Sequence, residues 1–121
     1  MEIQRNDHYL GTPGNSFQEL ISGKIHGVDS GIYTSTKPMN PEALGAGLNA
    51  LPSSIIRAKG YIYLKDLTAS KWKFLFQYTG RNNSLSSRAW SKTELKQTSL
   101  VFFGQNINFD QLFMELKNCE V

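Results

Sequence analysis

The chain has 121 residues and a formal net charge of +3 at pH 7, which leaves room for about one domain of typical size. Hydrophobic residues make up 40% of the sequence, enough for a folded core and too much for a disordered tail. The single cysteine, Cys119, excludes an internal disulfide framework and a cysteine-based zinc knuckle within one chain. Because the sequence lacks an apolar run of about 20 residues and a signal-peptide core, we expect a cytoplasmic protein without a membrane span.

Residues 1–24 are predicted to form a linker or N-terminal extension that contains one short helix. The first 15 residues are polar and are broken by glycine and proline, which is linker composition. Ser16 then stands three residues before Glu19, the spacing of a capping box, and Gly23 can end the helix. The folded domain is therefore expected over residues 25–121.

Four segments carry the β-branched and aromatic residues that are typical of strands. The first covers residues 24–36, and the last covers residues 100–103 and is closed by Gly104. Between them, residues 55–64 and 72–78 are predicted to form a hairpin-like pair, and aromatic residues alternate along the second of these two strands. Residues 88–98 give no clear prediction.

Two helices are predicted, one on each side of the run of strands. The first begins at Asn40 and Pro41 and is stopped by Pro52, with one apolar face made by Leu44, Leu48 and Leu51. Gly45 and Gly47 weaken it by about 1 kcal/mol each, so we expect them where the helix lies close on the sheet. Asn108 can cap the second helix, whose apolar stripe is Phe109, Leu112, Phe113 and Leu116.

This order of elements predicts the α+β class. Helices that flank a run of strands lie on one face of an open sheet. We therefore expect a two-layer sandwich with a roughly four-stranded, mainly antiparallel sheet and both helices on the same face.

The sequence offers little support for catalysis. It has no glycine-rich phosphate loop followed by Lys-Ser or Lys-Thr. Its two histidines, His8 and His26, lie in no recognisable triad pattern. A metal site made by His26, Asp29 and Cys119 would need them to meet through the tertiary fold alone. We therefore expect no catalytic, cofactor-binding or metal-binding residue in this chain, and a small enzyme built on these three residues is the weakest hypothesis.

The centre of the chain is strongly basic. Residues 57–96 contain nine Lys or Arg residues against Asp66 and Glu94, a net charge of +7. Such a segment attracts an anionic partner, or else forms a solvated basic strand face. Within it, Lys59-Gly60 precedes Tyr61 and Tyr63, which partly resembles the aromatic strand of RNA-recognition domains. Binding of single-stranded nucleic acid is therefore the alternative function. The other interpretation of these aromatic residues is structural, namely that they pack in the core.

A series of motifs, in this order and spacing, resembles the C-terminal domain of CobW-type proteins from about His26 to the C-terminus. The most specific are Arg57-x-Lys59-Gly60, which follows a helix ending in Leu51-Pro52, and the apolar strand that ends in Gly104 just before the last helix. The full series is Leu48-Asn-Ala-Leu51-Pro52, Ile55-Ile-Arg57-Ala-Lys59-Gly60-Tyr61, Trp90, Leu100-Val-Phe-Phe103-Gly104-Gln105, and Phe109-Asp110-Gln-Leu112 with Leu116 and Cys119.

The resemblance implies an accessory domain that belongs beside an N-terminal P-loop GTPase domain. CobW-type proteins are implicated in cobalamin synthesis, nitrile-hydratase activation and zinc delivery. The phosphate loop, the guanine-selecting Asn-Lys-x-Asp and the Cys-x-Cys-Cys metal motif belong to the GTPase domain and do not occur in this sequence. GTP with magnesium, and zinc or cobalt, are thus implied for that other domain. The expected partner is the GTPase domain, in cis or in trans, or a metal-accepting protein.

Arg57, Lys59 and Gly60 are the candidate interaction residues. Arg57 and Lys59 occupy alternate positions, so in a strand they project to the same side. Two cations held together favour an acidic neighbour, which we expect either on a partner or within the domain, at Asp110 or Glu115. Arg57 is the stronger candidate because its planar guanidinium can hold a carboxylate through two hydrogen bonds.

Overall fold

The computed structural model describes residues 27–65, 71–80 and 82–121. The predicted helix at residues 16–23, the first part of the predicted first strand and His26 lie outside the described residues. Five strands and two helices are described: β1 (Asp29–Ser35), α1 (Pro41–Asn49), β2 (Ile55–Tyr63), β3 (Trp72–Tyr78), β4 (Asn83–Ala89), β5 (Thr98–Gly104) and α2 (Phe109–Lys117).

The strands form one sheet in the order β1-β5-β2-β3-β4, and all four pairings between neighbours are antiparallel. This confirms the α+β class and the antiparallel sheet; the sheet has five described strands, one more than the roughly four expected, and the additional strand is β4. Strand β4 contains no β-branched or aromatic residue. It forms because a tight turn, in which the Thr79 N–H donates to the Asn82 carbonyl at 3.0 Å, returns the chain along β3.

The helices and the sheet share one core. The aromatic ring of Phe113 on α2 lies 6.3 Å from that of Phe102 on β5 and 5.7 Å from that of Tyr33 on β1, measured between ring centres. Leu44 and Leu48 of α1 join the same cluster. Its buried members are Tyr33, Met39, Leu44, Leu48, Ile55, Ala58, Ile62, Phe76, Leu100, Phe102, Leu112, Leu116 and Cys119. Both described helices therefore cover the same face of the sheet, as the sequence predicts.

Both helices begin where the sequence places them. The side-chain oxygen of Asn40 accepts a hydrogen bond from the Ala43 N–H at 2.8 Å, and that of Asn108 accepts one from the Gln111 N–H at 3.1 Å. The expectation for Gly45 and Gly47 is wrong. A β-carbon added at either position would meet nothing within 4 Å, because Leu44 and Leu48 make the buried side of α1.

Strand β2 has side chains on both faces of the sheet. Ala58 and Ile62 point toward the helices, and the residues that alternate with them point the other way: Arg57, Lys59, Tyr61 and Tyr63. We call the side of the sheet opposite the helices the second face. A bulge at Ile56, where the register with β5 shifts, sets this alternation.

Candidate interaction surface

Arg57 and Lys59 lie side by side on the second face. Arg57 pairs with Phe103 of β5, and Lys59 pairs with Val101 of β5 and Gln77 of β3. Both side chains are half-buried. The two candidate acidic neighbours within the domain, Asp110 and Glu115, belong to α2 and so lie across the sheet from them. Neither Asp110 nor Glu115 is therefore the acidic neighbour expected within the domain, and the acidic neighbour on a partner stays a prediction.

Gly60 has a steric role in the sheet. A β-carbon at this position would lie 2.0 Å from the backbone oxygen of Ser99 and 2.8 Å from the Cα of Leu100. Its φ of 158° is also one that residues with a side chain rarely adopt. The glycine of the Arg57-x-Lys59-Gly60 motif therefore allows β2 and β5 to approach each other, and its role in a partner contact stays a prediction.

A buried lysine, which the sequence analysis does not single out, organises one end of the second face. Lys73 is 6% exposed, and its Nζ donates to a carboxylate oxygen of Glu94 at 2.7 Å. The same Nζ lies 4.3 Å from the ring centre of Tyr61 and 5.4 Å from that of Trp90. An ammonium held between aromatic rings and a carboxylate is stabilised by cation–π attraction and by a charge-assisted hydrogen bond.

Glu94 belongs to the connection between β4 and β5. This connection starts at the edge of the sheet and crosses the second face to the beginning of β5. Its other carboxylate oxygen accepts from the Ser91 N–H at 2.8 Å, so the carboxylate fixes the conformation of the connection. The hydrogen bonds from Lys73 and Ser91 hold the pKa of Glu94 below its usual value. Alternation along β3 places Lys73 on this face, but only the tertiary fold supplies its partner.

Trp90 packs edge-on against the tyrosines of β2. Its ring centre lies 6.2 Å from that of Tyr61 and 6.0 Å from that of Tyr63. The buried indole N–H of Trp90 finds no hydrogen-bond acceptor among the described residues. Phe76 is buried under the helices on the other side of the sheet, and Phe74 packs against the same core. The aromatic residues of β2 and β3 are thus divided between the two faces and engaged with neighbours, which does not favour a base-stacking platform.

The outer hairpin of the sheet, β3 with β4, carries exposed apolar side chains. Trp72 is 39% exposed and Leu85 is 57% exposed. Lys71 lies beside Trp72, with its Nζ 5.9 Å from the ring centre. Arg88 and Lys92 are exposed nearby in sequence. Among residues 71–97, Glu94 is the only acidic residue, and it is already paired with Lys73. This part of the sheet is therefore both accessible and basic.

The C-terminal end of the domain is hydrogen-bonded to β1. The hydroxyl of Tyr33 donates to Glu120 at 2.5 Å. Burial, together with this hydrogen bond, raises the pKa of Tyr33, and the hydrogen bond lowers the pKa of Glu120. Cys119 is buried beside this contact, and burial raises the pKa of its thiol. Asp29 accepts from the Asn106 N–H at 3.0 Å, which fastens the start of β1 to the turn after β5.

The described residues contain no group of three His, Cys, Asp or Glu side chains that could hold a metal ion.

One open pocket of about 320 Å³ lies between the end of α1 and the start of α2. Of the residues described, those that line it include Ser54, Gln111 and Glu115. No helix within the described ranges is long and apolar enough to cross a membrane.

The sequence matches one family model, described as "Cobalamin synthesis protein cobW C-terminal domain", over residues 28–120. Comparison with curated protein sequences gives no match. Two solved structures share the fold, each with a TM-score of 0.70 over 84% of this chain. One is Zn(II)-bound YjiA GTPase from E. coli, at 17% identity, and the other is a Zn(II)-bound triple mutant of YjiA GTPase, at 19% identity. This chain spans 32% of the length of either one.

Proposed function

Because the chain belongs to the cobW C-terminal domain family, we propose that it is a non-catalytic interaction domain of a CobW-type GTPase system. It binds a P-loop GTPase domain, in cis or in trans, or the protein that accepts the metal. The system inserts a metal cofactor or maintains zinc or cobalt supply, and it works in the cytoplasm. The match between residues 28–120 and the C-terminal domain alone is the observation that carries this proposal.

The distribution of chemical groups supports a binding role. We assign zinc or cobalt, and GTP with magnesium, to the GTPase domain of the system, because the Cys-x-Cys-Cys motif and the phosphate loop of CobW-type proteins belong to that domain and do not occur in this sequence. We expect the partner to contact the basic surface of the sheet, where Arg88 is exposed and where Arg57 and Lys59 remain the candidate contact residues.

A titration of the purified chain with GTP and magnesium tests the first half of the proposal. We expect no measurable GTP binding and no hydrolysis above the buffer rate. Tight binding of GTP, or hydrolysis that survives repeated purification, would refute the non-catalytic assignment. A circular dichroism spectrum of the same sample serves as the control that the chain is folded.

The second half is tested with the GTPase domain of a CobW-type protein, expressed without its own C-terminal domain. We expect the chain to bind this domain in a calorimetric titration and to change its rate of GTP hydrolysis. A single-stranded oligonucleotide of twelve thymidines serves as the alternative ligand. Binding of the oligonucleotide with no binding of the GTPase domain would reverse the ranking of the two functions.

A further inference from the structure

We propose that the outer edge of β4 is a docking edge that pairs with an extended, acidic segment of the GTPase domain. The inference rests on the proposed function and specifies where the partner binds. Strand β4 is the last strand of the described sheet, next to β3 alone. A partner strand would add to it through backbone hydrogen bonds, which is a common mode of peptide recognition.

The hydrogen-bond pattern shows which backbone groups of β4 face outward. The Thr79 N–H donates to the Asn82 carbonyl, and the Trp90 N–H donates to the Lys71 carbonyl at 3.2 Å, so the hairpin is hydrogen-bonded at both ends. In an antiparallel pair, residues that exchange hydrogen bonds with the neighbour alternate with residues that do not. The backbone groups directed away from β3 therefore belong to Asn83, Leu85, Ser87 and Ala89.

This edge lacks most of the features that prevent strand addition. Natural edge strands are protected by charged side chains, above all lysine, by proline, by a bulge or by very short length. Arg88 is the one charged residue of β4. Strand β4 has seven residues, contains neither proline nor lysine, and keeps an unbroken register with β3 from Asn83 to Ala89. Six of its seven residues are exposed. A long, regular and accessible edge is a template for another strand.

The charge around β4 selects an acidic partner. Arg88 lies on the strand itself, and Lys92 is exposed three residues after it ends. Lys71 is also exposed and lies opposite Trp90, the residue that follows β4. Self-association of two β4 edges would bring two copies of this basic segment together, which repulsion opposes. An acidic strand instead gains from the same charges, and an apolar side chain on it can contact the exposed Leu85 of β4.

Ser87 allows a matched test of the backbone contact. Ser87→Pro removes an outward N–H and costs no hydrogen bond to β3, because the Ser87–Phe74 pair is one that does not exchange them. Ser87→Ala keeps the N–H and is the control. Thermal unfolding of both variants checks that the fold is retained.

The full chain and both variants are titrated with the CobW-type GTPase domain. We expect Ser87→Pro to bind at least tenfold more weakly than the wild type and Ser87→Ala to bind equally. An eight-residue peptide of alternating Glu and Val should compete, whereas its Lys and Val counterpart should not, and Arg88→Glu should also weaken binding. Equal binding by the wild type, Ser87→Pro and Ser87→Ala would overturn the docking edge while the proposed function stands.

Two other results also contradict the proposal. If the wild-type chain does not bind the GTPase domain at all, the proposed function fails and the docking edge falls with it. If the wild-type chain is a dimer in solution by light scattering and Ser87→Pro is a monomer, the edge pairs with a second copy of this chain and not with an acidic partner.

Discussion

Strands β5 and β4 belong to the same sheet but have opposite surroundings. Strand β5 lies between β1 and β2 under the helices, and Leu100 and Phe102 are 0% exposed. Strand β4 has a neighbour on one side only, and its one large apolar residue, Leu85, is 57% exposed. The comparison indicates that the buried residues of β5 and β2 hold the domain together, while β4 has its backbone and charge available to the proposed partner.

The largest effect is expected at Gly60, in the covered part of the sheet. Gly60→Ala should lower the free energy of unfolding by about 3 kcal/mol, since the new β-carbon meets the backbone of β5 and the backbone conformation is strained. The matched control is Gly47→Ala in α1, where a β-carbon meets nothing and helix propensity favours alanine by up to about 1 kcal/mol. Urea denaturation measures both, and equal stability of the two variants would refute the steric role of Gly60.

Removal of the buried ammonium of Lys73 tests the connection between β4 and β5. Lys73→Met should destabilise the domain by about 2 kcal/mol, because Glu94 loses its charged donor. Lys92→Met, at an exposed position of the same connection, should change stability by less than about 0.5 kcal/mol.

The pH dependence of the Lys73→Met effect follows from the lowered pKa of Glu94. A lowered pKa in the folded state contributes stability above the usual carboxyl range, and this contribution is lost as the pH falls through the folded-state pKa. The difference between wild type and Lys73→Met should therefore shrink below about pH 4. A difference that stays constant from pH 7 to pH 3 would show that packing alone is responsible.

A smaller effect is expected where the C-terminus meets β1. Glu120→Gln should cost about 1 kcal/mol at neutral pH, because the Tyr33 hydroxyl loses a charged acceptor. The contribution of Glu120 declines as the pH falls through its lowered pKa, and that of Tyr33 is lost as the pH rises beyond the usual tyrosine pKa. Stability curves of wild type and variant should converge at both extremes, and parallel curves would argue against this contact.

The smallest effect concerns Arg57 on the second face. Arg57→Ala should weaken docking of the GTPase domain, or else stability, by about 1 kcal/mol, and Arg57→Lys should not restore it, because lysine lacks the planar two-point donor. Calorimetry and urea denaturation measure the two quantities. If wild type, Arg57→Ala and Arg57→Lys bind equally and are equally stable, Arg57 has no role in holding a carboxylate.

Local sequence patterns predict the covered part of the sheet better than the outer hairpin. The caps at Asn40 and Asn108 and the apolar strand β5 have clear local signals, so these elements are where the sequence places them. Local patterns do not predict strand β4, because a Ser-rich edge strand forms through pairing with its neighbour and not through its own strand propensity. The Lys73–Glu94 pair joins residues 21 positions apart, and only the crossing of the connection over the second face brings them together.

Site-resolved amide hydrogen exchange of β4, with and without the CobW-type GTPase domain, tests the central claim most directly. In the free chain, the amides of Leu85, Ser87 and Ala89 should exchange quickly, while those of Ser84, Ser86 and Arg88 are protected by β3. The GTPase domain should slow the first three and leave the amides of the buried strand β5 unchanged. Unchanged exchange at Leu85, Ser87 and Ala89 in a sample saturated with the GTPase domain would contradict docking at this edge.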